Sequence, residues 1–458
     1  MDFKIFDSPL TRRQALQCGL IGTAGILFSE MLPFRAFAAE PAAAAAIDLP
    51  PAFGKARAVI QIWLWGGPSH LDTFDPKPGA GQDYCGPYNK PIATNVDGIQ
   101  ICQMLPLLAK QADKYSLLRG MTHGNNGHET AAYLVQTGRK STGGLVFPGI
   151  GAIVSYFKGY NGGYKGMLPP YITVTTPQGR FAESGFLGSA YKPFATGSDP
   201  NKEPFAVEGI ISENISEMRQ IERRALLGDF DSFARESAGN ATVRALEKSQ
   251  EQAYSMILGE ARKAFILSEE KSEQRDLYGR SKFGQSCLVA RRLVERGVPY
   301  VTINHGGWDT HKEHFSRMNK MLPELDKGLA TLLKDLSDHG LLDNTIVWVG
   351  GEFGRTPKID WDQPWNGGRG HYGKAFSHLV AGGGFKGGKI VGETDGKGEN
   401  VSSRPVYPCD LLGSMMELLG IDPKAKLPHP QGRDIFVSPF AANEISAKES
   451  GGLLREIM

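Results

Sequence analysis

His305, Asp309, His311 and His314 crowd into one short segment, Val301–His314, which reads VTINHGGWDTHKEH. Imidazole nitrogens and a carboxylate at this density suit a bound divalent ion such as zinc, manganese, calcium or iron. The competing reading is a solvated loop whose histidines satisfy backbone groups. Further groups of the same kind recur along the chain. His70 and Asp72 lie in GGPSHLDTFDPKPG, and either group could be a ligand or a turn-forming side chain. His123 and His128 flank a Gly/Asn-rich loop, and His128 opens a predicted helix, whose exposed amides favour a sulfate or phosphate oxyanion. GGEFGRTP carries Glu352, a candidate ligand, and Arg355, whose fork matches an oxyanion or else pairs with Glu352. His371 in NGGRGHYG is a candidate closing ligand.

The elements that would position these groups are legible. Ala58–Trp65 and Val298–Ile303 are buried-strand runs that end in Gly66-Gly67 and Gly306-Gly307, and Thr345–Val349 runs into Gly350-Gly351. Ser281–Gly297 and Pro323–His339 read as amphipathic helices between strands, with Pro323 fitting a first turn. Ile101–Ala112 reads as a short helix before the strand Tyr115–Leu118, and His128–Val135 begins a helix closed by Gly138. Strands alternating with helices predict a parallel, doubly wound α/β fold, in which loops beyond the strand C-termini line the ligand crevice. Residues 213–273, rich in charge, are expected to form a helical insert, and Cys85–Cys102 is the natural pair to suspect for a disulfide.

The chain has 458 residues, 41% hydrophobic and 22% charged, enough for a large core. Its 51 basic and 49 acidic residues give a formal charge of +2 with no basic block, so no nucleic-acid partner is expected. Thr11-Arg12-Arg13-Gln14, a moderately apolar run and Ala36-Phe37-Ala38 resemble a twin-arginine export signal over residues 1–38. That segment implies a periplasmic or extracellular protein comprising residues 39–458. No later stretch is long and apolar enough for a membrane span. Oligomeric state is not legible.

Taken together, the TRR signal, WGGPSHLDTFDPKPG, YGRSKFGQSCLVARRL, GWDTH, GEFGRTP and GRGHYG resemble the exported bacterial family labelled domain of unknown function 1501, of the alkaline phosphatase/sulfatase superfamily. The resemblance covers essentially the whole chain. It implies a three-layer αβα sandwich with a mainly parallel sheet, and one or two metal ions at a site that hydrolyses sulfate or phosphate esters of small molecules or polysaccharides. By motif, Asp309 with His311 or His314, together with His371, matches one metal's ligands, and Glu352 matches the Asp of an Asp-His pair. Phe353 stands where that pair's His belongs, and Gly66-Gly67 replaces an expected Asp pair, leaving Asp72 or His70 as substitutes. His128 falls where sulfatases keep the cysteine converted to formylglycine. The Cys-x-Pro-Ser-Arg signature is absent, so that chemistry is not expected. The implied mechanism is a metal-activated water with His128 or His123 as base and Arg355 steadying charge, or else His128 as nucleophile. The alternative is a non-catalytic relative that binds polysaccharide or an exported partner protein.

Overall fold

Alternation along the first strand decides the architecture. Ala58, Ile60, Ile62 and Leu64 join one buried apolar cluster, while Val59 and Trp63 join another on the opposite face. A strand buried on both faces belongs inside a sheet covered by helices on each side. The computed structural model describes residues 53–458, apart from 142–143, 178–182, 208–209, 212–216, 231–252, 255 and 441–443. The expected signal segment 1–38 and much of the expected insert lie outside the described residues.

The main sheet has eight strands: β1 (Ala58–Leu64), β2 (Tyr115–Met121), β3 (Tyr171–Val174), β4 (Phe194–Ala195), β5 (Tyr300–His305), β6 (Thr345–Gly350), β9 (Phe376–Ala381) and β10 (Lys389–Val391). Between β6 and β9 a small ladder joins β7 (Gly354–Arg355) to β8 (His371–Tyr372). The order in the main sheet is β10-β2-β9-β6-β1-β5-β3-β4. Among these, β9 runs antiparallel to both its neighbours and the remaining pairings are parallel. Helices α1 (His128–Thr137), α2 (Ile150–Lys158) and α7 (Pro408–Leu418) pack Val135, Ile153, Leu411 and Met415 on one face. On the other, α5 (Lys282–Glu295) and α6 (His314–Asp338) pack Leu288, Leu293, Leu325 and Leu329. The result is a three-layer αβα sandwich with a mainly parallel sheet.

Register brings the working loops to one edge. Leu64 pairs with His305 and Trp63 with Gly350, so the chain leaves β1, β5 and β6 side by side. A buried amide chain fixes α1 against that edge: Gln61 Nε2 donates to Gln136 Oε1 at 3.0 Å, and Thr302 Oγ1 donates to Gln61 Oε1 at 3.0 Å.

Three expectations need correction. The helix placed at Pro323–His339 begins at His314 and runs through Pro323, because Met318 and Leu322 already belong to the same buried stripe. Ile101–Ala112 is no single helix: Ile101 ends a two-residue strand and only Pro106–Ala109 is α-helical. Cys85 and Cys102 are free, buried thiols; Cys85 Sγ donates to Lys77 O at 2.8 Å, and burial pushes the Cys102 thiol up to about 12. Of the expected insert, α3 (Glu217–Phe230) is described and leaves Met218, Ile221 and Leu226 exposed, and α4 (Ser272–Tyr278) packs against α5 and α6. No helix among the described residues is long and apolar enough to cross a membrane.

Candidate metal centre

The site begins where β1 ends. Gly66 and Gly67 have φ of +110° and +80°, which favour glycine. A Cβ on Gly66 would come within 2.2 Å of the Asp309 backbone nitrogen, and one on Gly67 within 2.5 Å of the Phe353 carbonyl. Two glycines therefore let the β5 and β6 loops close over the end of β1. The expected Asp pair has no room there.

His128 at the start of α1, Asp309 after β5 and His371 on β8 bring donor atoms within 4.8 Å of one another. His371 Nε2 lies 3.1 Å and His311 Nε2 3.0 Å from Asp309 Oδ1, and the two Nε2 atoms are 2.8 Å apart. His128 Nε2 approaches Asp309 Oδ2 at 3.3 Å. Behind His128, the fully buried Glu352 accepts from Nδ1 at 2.6 Å and from the Gly66 N–H at 2.9 Å through the same Oε1. Rings continue outward from the cluster: Trp65 stacks on His128 at 5.7 Å, Phe353 on His371 at 4.6 Å, and Trp365 flanks His311 at 6.3 Å.

Tautomers make the case for a cation. His371 Nδ1 is 2.8 Å from the Asn126 carbonyl, an acceptor only, so Nδ1 carries the hydrogen and Nε2 the lone pair. Glu352 imposes the same arrangement on His128. Two imidazole lone pairs thus face one carboxylate, an arrangement that a bound cation relieves. Burial would raise the Asp309 carboxyl, but the Arg355 guanidinium holds it down at about 2, so it is ionised. Burial, opposed by Asp309 and aided by Arg355, lowers the His311 imidazolium, leaving that ring neutral. Two or three nitrogens and a carboxylate suit zinc, manganese or iron. The donors fit a single ion. Among the described residues no second ligand set is found, and the Phe353 ring lies against both His128 and His371.

The family model described as "Protein of unknown function (DUF1501)" matches residues 56–447. The chain belongs to this family. No match is found among curated proteins. Among solved structures, the DUF1501 chain is similar to the lipoteichoic acid synthase LtaP from Listeria monocytogenes, at 11% identity over 85% of this chain and 76% of that one, TM-score 0.37. It is similar also to a protein in the alkaline phosphatase superfamily from Vibrio parahaemolyticus, at 11% identity over 82% and 72%, TM-score 0.38. A third is the PsFucS1 sulfatase from Pseudoalteromonas sp., at 12% identity over 81% and 68%, TM-score 0.36.

Several expected site residues of the DUF1501 chain lie apart from the cluster. His314, 1% exposed, donates from Nε2 to Asp72 Oδ2 at 2.9 Å and accepts the Thr310 hydroxyl at Nδ1, 2.6 Å away. Arg369 pairs with both oxygens of Asp72, at 2.7 and 3.1 Å. His314 and Asp72 are therefore spent on a buried network, not on a metal. His70, fully buried, meets the Gly398 carbonyl at 2.9 Å and is likewise remote. His123 bonds Glu352 O at 2.7 Å and the Asn125 N–H at 3.0 Å, and burial lowers it to about 4, so it braces its loop as a neutral ring. Arg355 is fully buried. It donates to Gly67 O and Arg369 O at 3.1 Å each, to Gly66 O, and to Asp309 Oδ1 at 2.5 Å, which commits its fork to holding the loops and not to a substrate oxyanion. His305 leaves the cluster altogether and packs on Phe283 at 4.5 Å.

Arg369 is the residue that sequence reasoning missed. Its N–H donates to Thr310 O at 3.2 Å, between Asp309 and His311, while its own position two residues before His371 anchors the other ligand loop. An arginine inside a glycine run, GGRGH, was the available signal. Asn126, which orients His371, had none. The network has a pH signature. Burial would raise Asp72, but Arg369 and then His314 hold it at about 2 against an ordinary 3.8. A depressed carboxylate contributes stability above its unfolded pKa and loses it as pH falls through the folded one. Urea denaturation is therefore expected to show about 2 kcal/mol lost between pH 4 and pH 2 through this group, and an Asp72→Asn variant should lack that component.

Proposed function

We propose that this protein is an exported, single-metal hydrolase of sulfate or phosphate esters that works without formylglycine. The observation carrying the reading is His371, whose Nδ1–H is committed to Asn126 and whose Nε2 turns, with His311 Nε2, to Asp309. Asp309, His311 and His371 would hold the ion. When bound, such an ion lowers the pKa of a coordinated water and polarises the ester. His128 is placed as general base: Glu352 fixes its tautomer and stabilises the imidazolium once a proton arrives at Nε2, and Trp65 keeps the ring still by stacking on it. Phe353, Trp65 and the paired glycines exclude bulk water from the floor. Arg355 holds Asp309 and the end of β1 together.

Glu352, ahead of the opposing effect of burial, raises the His128 imidazolium above its ordinary 6.5. Only the neutral ring accepts a proton, so the rate should rise with pH as the His128 imidazolium deprotonates. His128→Gln is expected to lose on the order of 10²- to 10⁴-fold in kcat and to abolish that limb of the profile, with the bound metal retained. A screen of nitrophenyl sulfate, phosphate monoester and phosphate diester substrates, in wild type and this variant, tests the assignment. A variant of undiminished activity would remove His128 from the chemistry. The Arg355 contact on Asp309 Oδ1 favours a second reading, a binding protein whose guanidinium replaces the ion. Full ligand affinity after dialysis against chelator would select it.

A further inference from the structure

Trp361 and Trp365 are 44% and 38% exposed near the tip of one hairpin, whereas Trp63, Trp308 and Trp348 are fully buried. Large apolar rings clustered in solvent mark binding surfaces. The hairpin is not loose. Asp360 pairs with Gly368, Trp365 N–H donates to Asp362 O at 2.8 Å, and Glu313 N–H donates to Trp365 O at 3.0 Å. A Cβ on Gly368 would come within 1.8 Å of the His311 carbonyl, so the hairpin is seated directly on the ligand loop. Its rings are held as well: Trp361 stacks on Phe315 at 5.9 Å and lies against Gly367, and Trp365 flanks His311 at 6.3 Å. The His311 and Asp309 side chains are 38% and 43% exposed, so the cluster itself is open to solvent. We propose that Trp365, with Trp361 of the same hairpin, is a stacking platform for a neutral sugar ring, which makes the substrate a glycan ester. The ester rests on the hydrolase reading above, and the sugar on the hairpin alone.

The neighbours of the rings select the ligand. Asp362, Gln363 and Asn366 are exposed, and among the described residues their side chains have no hydrogen-bond partner. A carboxylate and two amides around indoles offer acceptors and donors beside an apolar face. A pyranose presents the complement, with C–H groups on its faces and hydroxyls round its rim. An alkyl chain would desolvate those polar groups without pairing them. A cationic ligand would meet Lys312, whose Nζ already stands 5.7 Å over the Trp365 ring. For a polyanion, Lys312 and Lys358 are offset by Glu313, Asp360 and Asp362 on the same segments. Reach is short: Trp365 flanks the His311 ring, and His311 Nε2 lies 3.0 Å from Asp309 Oδ1 and 2.8 Å from His371 Nε2. A sugar stacked on Trp365 is therefore one imidazole away from the donor set.

Saturation-transfer NMR and tryptophan fluorescence on the full chain, titrated with cellotriose, maltotriose, laminaritriose, mannotriose and xylotriose, test this. At least one trisaccharide is expected to bind with Kd of about 0.1–10 mM. Trp365→Ala should weaken that binding at least about 10-fold, and Trp365→Phe, which keeps a ring face, by less. Should Trp365→Ala fail to fold, the exposed Gln363→Ala takes its place, with an expected loss of about 2- to 10-fold. Asp309→Ala, which dismantles the metal cluster, should leave sugar binding intact. Wild-type protein that binds a sugar yet cleaves none of the screened esters counts against the hydrolase and leaves the platform standing. Binding of no trisaccharide, binding unchanged in the Trp365→Ala or Gln363→Ala variant, or phenol bound more tightly than every sugar overturns the inference.

Discussion

Elemental analysis of the purified protein is expected to give about one equivalent of a divalent metal, lost in an Asp309→Ala/His371→Ala double variant. These two residues are the core of the donor set, with His371 Nε2 3.1 Å from Asp309 Oδ1. Removing them leaves His311 and His128, too few donors to compete with water for a divalent ion. The loss in rate on a responsive ester should be on the order of 10³-fold or more, since the ion is asked to supply several kcal/mol. Stability should change little. Asp309 and its histidines are partly exposed, and truncation leaves only the buried Arg355 lacking one of its four acceptors. Metal-free wild-type protein that folds normally and takes up no ion on incubation would end the metal reading.

Arg369→Ala should produce the largest loss of stability of any single change at this edge of the sheet, about 3–5 kcal/mol. The mechanism is the Asp72 charge, 1% exposed, left with only His314 and the Ser69 hydroxyl as partners. Arg369 also donates to the carbonyls of Tyr84, Thr356 and Pro357, and those acceptors would be stranded too. Lysine should not rescue, because one ammonium cannot span both Asp72 oxygens and three carbonyls. The double variant Asp72→Asn/Arg369→Ala should be more stable than Arg369→Ala alone, a coupling that denaturation midpoints would read. A cost below about 1 kcal/mol for Arg369→Ala would mean that the network is not a support. Metal affinity offers a second readout: a support that orients ligands typically changes it 10- to 100-fold when removed.

Much of this was written in local signals. The strands that end in paired glycines mark the crevice because alternation and breakers are short-range properties, and Asp309, His311, Glu352 and His371 all follow from that edge. What lay hidden was pairing across the chain. Asp72 and His314 have the same residue types as the candidate ligands, and only their burial together with Arg369 separates them from Asp309 and His371. His123 and His128 belong to one loop by sequence. Burial and two backbone bonds neutralise the first, while Glu352, more than two hundred residues on, activates the second. Pro323 shows the same limit in the fold: its ring argues locally for a helix start, and the tertiary stripe from Met318 to Leu336 overrides it.

Gly66 presses on Asp309, Glu352 reaches back to Gly66 and His128, and His371 leans on Asn126, so every wall of the centre comes from a different stretch of chain. None of these neighbours is local in sequence, and closing such long loops is the slow, late part of assembly. The unfolded or half-built chain has scattered histidines but no coordination sphere. If the proposed ion binds, its capture is an event of the finished molecule: loading would report completed folding, and misfolded chains would be left without an ion to hold.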